Sequence, residues 1–285
     1  MQITDKIRQS LGDWTDMFAP FIQSEQWDNI FNTLKTLSMN KRVVIPKSPD
    51  VFKSFELCSR HKVKAIVFLM DPYPSTTKDG ELIADGVPMS CKGKSKLQPT
   101  LEKWYMGIEN DFGNYEKNIV GFIPDMDQSG DIDFLLTEEG VLLLNSCLTC
   151  EKDKPGSHLE LWTPFMKFFI EEIVNKYYKG LPIVLCGTQA QKLERFINPI
   201  MHYSLKVEHP AASSYNNRFW EHQEMFRWIN KILKMNNGEE YQIRWYRTVD
   251  EMKNKNGSEC KEKKPYSTSK EPLKDAKSLG LPWDN

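Results

Sequence analysis

Three polar groups that could do chemistry stand at the ends of separate apolar runs in this sequence: Asp71, Asn145 and His209. A carboxylate can stabilise a cation and orient an attacking water, and a neutral imidazole can donate to a developing oxyanion. A carboxamide both donates and accepts hydrogen bonds, so it can recognise a planar polar edge. Each group alone could simply satisfy a loop, but three of them at separate strand ends indicate a binding or catalytic site.

The apolar runs before these groups are predicted to be the strands that position them. The runs are continuous rather than alternating, which is typical of strands buried on both faces of a parallel sheet. Ligands bind at the carboxyl ends of the strands in such sheets, which is where the polar groups fall. The runs cover residues 63–70, 141–148, 183–186 and 205–207.

Helical patterns separate the predicted strands. Thr163 as N-cap and Pro164 at the first helical position predict a helix that continues to Tyr178, with Gly180 just past its end. Strands that alternate with helices predict an α/β fold, here a three-layer α/β/α domain around a central, mainly parallel four-stranded sheet. Further helices are predicted over residues 48–58, 99–110 and 217–234.

Composition indicates an ordinary globular protein. The chain has 285 residues, of which 40% are hydrophobic, and its 38 basic and 39 acidic residues give a formal net charge of -1. Any affinity for DNA must therefore come from a local patch rather than from the whole molecule. Because the sequence shows neither a signal-peptide run nor an apolar stretch of bilayer length, we expect no membrane association. We expect an intracellular location.

No metal or cofactor is expected. Cys147 and Cys150 form a C-x-x-C pair, but no second pair or nearby histidine completes a zinc site, so packing is the expected role. The acidic segment 125–133 resembles the first half of a calcium loop, yet Leu136 stands where the closing glutamate would be. The six cysteines are expected to be reduced thiols.

The composition changes near the end of the sequence. We predict one domain over residues 1–246 and a polar, disordered tail over residues 247–285, because residues 253–278 carry almost no apolar anchors. The last seven residues, LGLPWDN, contain two leucines and a tryptophan. They are either a random tail end or a short docking peptide for a replication protein.

Five segments of the sequence stand out as motifs: LMDPYP at 69–74, DGVPMS at 85–90, PTL at 99–101, GVLLLNSCLT at 140–149 with GSH at 156–158, and HPAASS at 209–214. They resemble motifs of the uracil-DNA glycosylase superfamily, in which G-Q-D-P-Y-H, A-H-G-L-C-F-S, P-S-L and H-P-S-P-L-S correspond to the first, second, third and last segment. The resemblance covers roughly residues 14–246.

Three details are closer to the poxviral branch, whose glycosylase is also part of a polymerase processivity factor. They are Pro74, the HPAA sequence and a tryptophan in the predicted terminal strand 243–246. For a viral protein, the expected intracellular location would be the host cytoplasm or nucleus.

The resemblance implies cleavage of the N-glycosidic bond of deoxyuridine, which builds positive charge on the sugar and negative charge on uracil. Asp71 would stabilise the sugar cation and orient the water, while His209 would hold the anionic uracil oxygen. Asn145 would read the flipped base, and the Tyr73 ring would exclude a thymine methyl. The implied DNA contacts are Thr100, Ser213, Ser214 and Arg218.

The sequence departs from the family pattern in its base pocket and its DNA wedge. Met89 stands where the family stacks a phenylalanine on uracil, and Met70 replaces the glutamine of the active-site loop. No leucine wedge follows Ala212, although Tyr215 could substitute by stacking. Without an apolar wedge, extrusion of a base from duplex DNA is less well supported, so a preference for single strands is expected.

The leading interpretation is a monofunctional uracil-DNA glycosylase whose partner is uracil-containing DNA. Two alternatives remain open. One is a catalytically weak DNA-binding or polymerase-tethering subunit with the same fold, favoured by the two methionines and the missing wedge. The other is a glycosylase for a different base. The flexible Met89 side chain in the pocket wall favours this alternative, whereas the Tyr73 ring argues against bases with bulky 5-substituents.

Overall fold

A computed structural model describes residues 5–92, 96–113, 122–214 and 218–251 of the chain. Its centre is a parallel four-stranded sheet of strand order β3-β2-β5-β6, and a short antiparallel pair, β1 and β4, lies apart from it. None of the helices in these ranges has the length and apolar character that crossing a bilayer requires. The strands are β1 Val44–Ile45, β2 Ala65–Leu69, β3 Val141–Asn145, β4 Cys150–Glu151, β5 Pro182–Cys186 and β6 Tyr203–Val207.

Helices pack along this sheet and are unequal in length. The α-helices are α1 Asp5–Leu11, α2 Thr15–Ile22, α3 Glu25–Met39, α4 Lys53–Leu57, α5 Pro99–Phe112, α6 Asp133–Thr137, α7 Leu159–Phe168, α8 Asn175–Tyr177, α9 Gly187–Gln191, α10 Pro210–Ser214 and α11 Met225–Asn237. A π-helical segment, Phe169–Val174, joins α7 to α8, and 3-10 turns occupy Gly12–Trp14, Ser48–Asp50, Arg60–Lys62, Lys192–Phe196 and Glu239–Tyr241.

The predicted α/β class and parallel four-stranded sheet are confirmed. Strands β2, β3 and β5 are buried along their whole length, as continuous apolar runs require, whereas β6 lies at an edge and is largely exposed. Phe68 of β2 contacts an aromatic cluster that includes Phe169, Phe55 and Trp14. A second cluster forms where α5 meets α11: Trp104 and Phe226 contact each other, and each of them contacts Trp220 and Trp245.

The predicted start of the long helix at Thr163 is wrong. Helix α7 begins at Leu159, and Pro164 lies inside it. The Thr163 hydroxyl donates to the carbonyl of Leu159 over 2.8 Å, so it satisfies a helical carbonyl rather than capping an N-terminus. A Thr-Pro pair has the composition of a helix start, but the apolar face of this helix continues upstream of it.

Two other predicted helices have different bounds. The segment 48–58 divides into the 3-10 turn Ser48–Asp50 and α4. The helix predicted from residue 217 begins only at Met225, because Gln223 and Glu224 adopt φ angles of 53° and 49°, which no α-helix accommodates. Before them, Trp220 and His222 are buried against α5 instead of continuing a helix.

Packing against the domain continues past the predicted boundary at Tyr246. Arg247 is 5% exposed, pairs with Glu138 and lies over the Phe134 ring at 4.5 Å. Thr248 forms an isolated bridge with Met126. Residues 243–246 form no strand, contrary to the expectation for the terminal segment. The rest of the predicted tail, with its terminal LGLPWDN, lies outside the described residues.

Candidate active site

The parallel sheet brings the three predicted polar groups to one edge. Asn145 is the last residue of β3, and it pairs in register with Leu69, the last residue of β2. Asp71 follows β2 by two residues, and His209 follows β6 by the same distance. Because all four strands run in one direction, these positions share the carboxyl edge of the sheet, where α/β folds bind their ligands.

The Asp71 carboxylate is held by a backbone amide. Its Oδ2 accepts a hydrogen bond from the amide of Gly156 over 2.6 Å. Burial raises the pKa of Asp71 to about 6, and the Gly156 bond opposes this rise because it favours the charged form. Gly156 has a φ of 72°, and a Cβ atom there would approach Cε of Met70 to 2.8 Å. Glycine therefore lets this amide reach the carboxylate.

The loop that carries Asp71 is bonded along its length by the segment after β3. The Leu69 carbonyl accepts from both the amide and the hydroxyl of Ser146, over 2.9 and 2.6 Å. The Met70 carbonyl accepts from the amide of Cys147 over 3.1 Å, and the Pro74 carbonyl accepts from that of Asp153 over 3.0 Å. The loop position is thus set by β3 and the residues that follow it.

His209 is held as a neutral ring. Its Nδ1 accepts a hydrogen bond from the amide of Ala211 over 3.2 Å, so the proton of the neutral ring is on Nε2. Burial lowers the pKa of His209 to about 4, against the opposing charge of Glu208. At neutral pH the side chain is therefore an uncharged donor through Nε2, which makes no hydrogen bond within the described part of the chain.

Gly187 makes room for His209. It follows β5 directly and has a φ of 86°. A Cβ atom built there would lie 2.7 Å from Cβ of His209, closer than real side chains approach, and 3.4 Å from its ring. The histidine ring therefore packs directly on the backbone of the β5–α9 junction.

A narrow pocket lies beside the Asp71 loop. Tyr73, Met89, Asn145 and Leu148 line it, and its cavity of about 10 Å³ has room for roughly one water molecule. The Asn145 side chain is 7% exposed, and its carboxamide bonds to none of the described residues. A donor and an acceptor are thus available at the pocket wall.

Hydrogen bonds fix the loop that carries Met89, whose side chain lines this pocket. Met89 has a φ of 68°, and its carbonyl accepts a hydrogen bond from the Tyr73 phenol over 3.0 Å. The buried Asp85 carboxylate accepts from the amide of Val87 over 3.1 Å and from the hydroxyl of Ser90 over 2.6 Å. These bonds fix the loop on both sides of Met89.

The residues expected to contact DNA lie in different environments. Thr100 is 6% exposed, and burial raises the pKa of the neighbouring Tyr73 phenol far above its ordinary value. Ser213 is fully buried, and its hydroxyl donates to the Pro210 carbonyl over 2.8 Å. Arg218 is exposed and pairs with Glu208. The Ser214 side chain and Tyr215 lie outside the described residues.

Sequence reasoning did not single out Gly156, Gly187 or Asp85 as site residues. The roles of both glycines depend on close approaches that only the folded chain creates, so the residue types alone do not predict them. Asp85 and Gly156 lie in segments matched to family motifs, but their hydrogen bonds within the site were not predicted.

No group of metal-ligating side chains that could hold an ion occurs among the described residues. Cys147 and Cys150 are buried free thiols, as are the other three described cysteines; Cys260 falls outside the described ranges.

Comparisons with known proteins identify the family of the chain. Uracil-DNA glycosylase from Pectobacterium atrosepticum is 30% identical over 210 residues, which cover 72% of this chain and 84% of that protein. The enzyme of the same name from Fusobacterium nucleatum is 30% identical over 234 residues, covering 82% and 94%. No protein-family profile matches. The chain belongs to the uracil-DNA glycosylase family.

Solved structures show the same fold. The crystal structure of mimivirus uracil-DNA glycosylase matches with a TM-score of 0.68 at 20% identity, over 82% of this chain and 86% of that one. The structure of the Nitratifractor salsuginis enzyme matches with a TM-score of 0.55 at 16% identity, over 80% and 94%.

Proposed function

We propose that this protein is a monofunctional uracil-DNA glycosylase, which hydrolyses the N-glycosidic bond of deoxyuridine in DNA and leaves an abasic site. The observation that carries the proposal is the pairing of an amide-bound carboxylate, Asp71, with a neutral histidine donor, His209, at one sheet edge. Family membership supports the same reaction. No metal or cofactor takes part in the proposed chemistry.

Asp71 acts in its ionised form. As the bond between C1′ and N1 of uracil breaks, positive charge develops on the sugar, and a nearby carboxylate stabilises it. The same carboxylate orients the water whose oxygen forms the new bond to C1′ and whose proton is released. The Gly156 amide holds this carboxylate in place and favours its ionised form, because an N–H group bonds more strongly to a charged oxygen than to a neutral one.

His209 stabilises the departing base. Uracil leaves with the electron pair of the broken bond, so negative charge develops on its ring and O2 oxygen. The Nε2–H of a neutral imidazole donates to this oxygen without transferring its proton, as donors of oxyanion holes do. The low pKa of His209 ensures that the ring is neutral over the whole physiological range.

Recognition of the base falls to the narrow pocket. The Asn145 carboxamide can donate to and accept from the polar edge of uracil, and the Tyr73 ring occupies the space that a 5-methyl group needs. The cavity is much smaller than a pyrimidine, so Met89 must move aside when a base enters. The unbranched Met side chain can do so, at the cost of a weaker stacking surface than an aromatic ring offers.

Release of free uracil tests this proposal. Wild-type protein is incubated with a single-stranded oligonucleotide that contains one deoxyuridine, and free uracil is quantified beside Asp71→Asn and beside a substrate with thymidine at the same position. We expect release from the uracil substrate only, with a large loss for Asp71→Asn. Absence of release by the wild type, or an unchanged rate for Asp71→Asn, contradicts the proposal.

A second function is favoured by Met70, Met89 and the absence of a leucine wedge: a tethering subunit that joins DNA to a replication partner through its tail. The HPAA sequence and Pro74 support a relation to the poxviral branch, and with it an intracellular site of DNA replication.

A chain truncated after Glu251 separates the two functions. It keeps the ion pairs of Arg247 with Glu138 and of Glu251 with Arg244, so its domain should stay folded without the tail. A glycosylase keeps its rate, whereas a tether loses its partner but not its DNA affinity.

A further inference from the structure

Two thiols lie against the loop that carries Asp71. The Sγ of Cys147 donates to the carbonyl of Met70 over 3.6 Å, and the Sγ of Cys150 donates to the carbonyl of Pro72 over 3.5 Å. These are the carbonyls of the residues immediately before and after Asp71. Both cysteines belong to the segment that also supplies the Gly156 amide to the Asp71 carboxylate.

Both thiols are suited to be donors rather than reactive groups. Each cysteine is fully buried, and neither forms a disulfide. Burial raises the pKa of Cys150 to about 12 and that of Cys147 well above its ordinary value, and the neighbouring charge of Asp71 raises both further. A thiol that keeps its proton is a weak hydrogen-bond donor, while the thiolate that oxidation or metal binding requires does not form there.

The Cys150 thiol supplies a hydrogen bond that no backbone amide of the described residues supplies. The Leu69, Met70 and Pro74 carbonyls accept from backbone amides, so the Cys147 thiol adds a second bond at Met70. The Pro72 carbonyl receives its described bond from Cys150 alone. Without the Cys150 thiol, the carbonyl of the Pro72–Tyr73 peptide would lose its described hydrogen bond, and this peptide could rotate between the anchored carbonyls of Met70 and Pro74. Rotation of this peptide would change the distance between the Asp71 carboxylate and the Gly156 amide.

We propose that Cys147 and Cys150 are positioning residues, whose S–H groups fix the backbone on both sides of Asp71 and so keep its carboxylate on the Gly156 amide. The consequence for catalysis rests on the proposed glycosylase function, while the consequence for Asp71 itself does not. Simple packing by two small apolar side chains is the alternative.

Paired substitutions separate donation from packing. Serine and alanine have nearly the same volume, but only serine keeps a donor, so each cysteine is changed to both. In single-turnover excision of uracil from a single-stranded oligonucleotide, we expect each alanine variant to be slower by about two- to fivefold, the loss of one weak hydrogen bond. The double alanine variant should be slower by about tenfold. The serine variants should stay within about twofold of wild type.

Cys58→Ala is the matched control, because Cys58 is an equally buried thiol that lies after α4 and does not contact the loop. Thermal unfolding of all variants reports the packing loss, which should be similar for alanine and serine. Equal rates for the alanine and serine variants overturn the proposal, since packing alone would then explain both.

A second measurement keeps the proposal testable without turnover. The carboxyl ¹³C resonance of Asp71 is titrated by NMR in the wild type, the double alanine variant and the double serine variant. We expect a midpoint near the wild-type pKa of about 6 for the double serine variant, and a higher midpoint for the double alanine variant as the Gly156 bond weakens. If the wild type releases no uracil, the proposed function is wrong. This titration alone then shows whether the thiols position the Asp71 carboxylate. Identical midpoints in all three proteins overturn the positioning role.

Discussion

Replacement of Gly187 by alanine should damage catalysis through His209. Gly187 has a φ of 86°, where an L-residue pays about 1–2 kcal/mol of backbone strain. Its new Cβ would lie 2.7 Å from Cβ of His209, whereas ordinary contacts begin at 3.4 Å. The histidine must therefore retreat by about 0.7 Å. Displacement of a catalytic group by about 1 Å can cost roughly 10²-fold, so we expect Gly187→Ala to lose about 30- to 100-fold in excision rate.

Gly80 provides a matched control for this variant. Its φ of 84° is nearly that of Gly187, but a Cβ atom there would meet nothing within 4 Å. Gly80→Ala should therefore pay a similar backbone strain and keep the wild-type rate. Urea unfolding of both variants compares the strain, and single-turnover excision of uracil compares the catalysis. A wild-type rate for Gly187→Ala, or an equal loss of rate for Gly80→Ala, would refute the reasoning.

Three further predictions concern the charges of the site and the form of the DNA. Asp71→Asn should be more stable than wild type by up to about 3 kcal/mol at pH 8, because the pKa of Asp71 is raised from 3.8 to about 6 and its ionisation opposes folding. This gain in stability should shrink between pH 6 and 4, where the carboxyl group of the folded protein becomes protonated. Urea unfolding at several pH values measures the gain. A gain that does not change with pH would contradict this prediction. His209→Gln should lower the single-turnover rate by about 10²- to 10³-fold without moving the midpoint of the acid limb, since the His209 ring is already neutral above its pKa of about 4. Because no leucine wedge follows Ala212, uracil should be excised faster from single-stranded DNA than from a duplex of matched sequence. A clear preference for the duplex would show that another residue acts as the wedge.

The positions of the proposed catalytic groups could be predicted because they depend on short-range patterns. A continuous apolar run predicts a buried parallel strand, and the residue after it must fall at the carboxyl edge of the sheet. Asp71, Asn145 and His209 all occupy that edge in the structure. Their long sequence separation did not matter, since the parallel sheet alone brings strand ends together.

The surroundings of these groups could not be predicted, because they depend on contacts between distant segments. Gly187 is required only because His209 packs on it, and Gly156 only because its amide reaches Asp71. The burial of Thr100, for which a phosphate contact is predicted, likewise depends on how distant segments pack. Local patterns also misled where a helix start and a helix interior have the same composition, as at Thr163.

The central claim is that an ionised Asp71 and a neutral His209 together cleave deoxyuridine. The most direct test is the pH dependence of single-turnover uracil release by the wild-type protein between pH 4.5 and 8.5. The pKa of about 6 for Asp71 and of about 4 for His209 predict one acid limb, with a midpoint near 6 and a constant rate above pH 7. No release of uracil, or a rate that stays constant down to pH 4.5, would contradict the account.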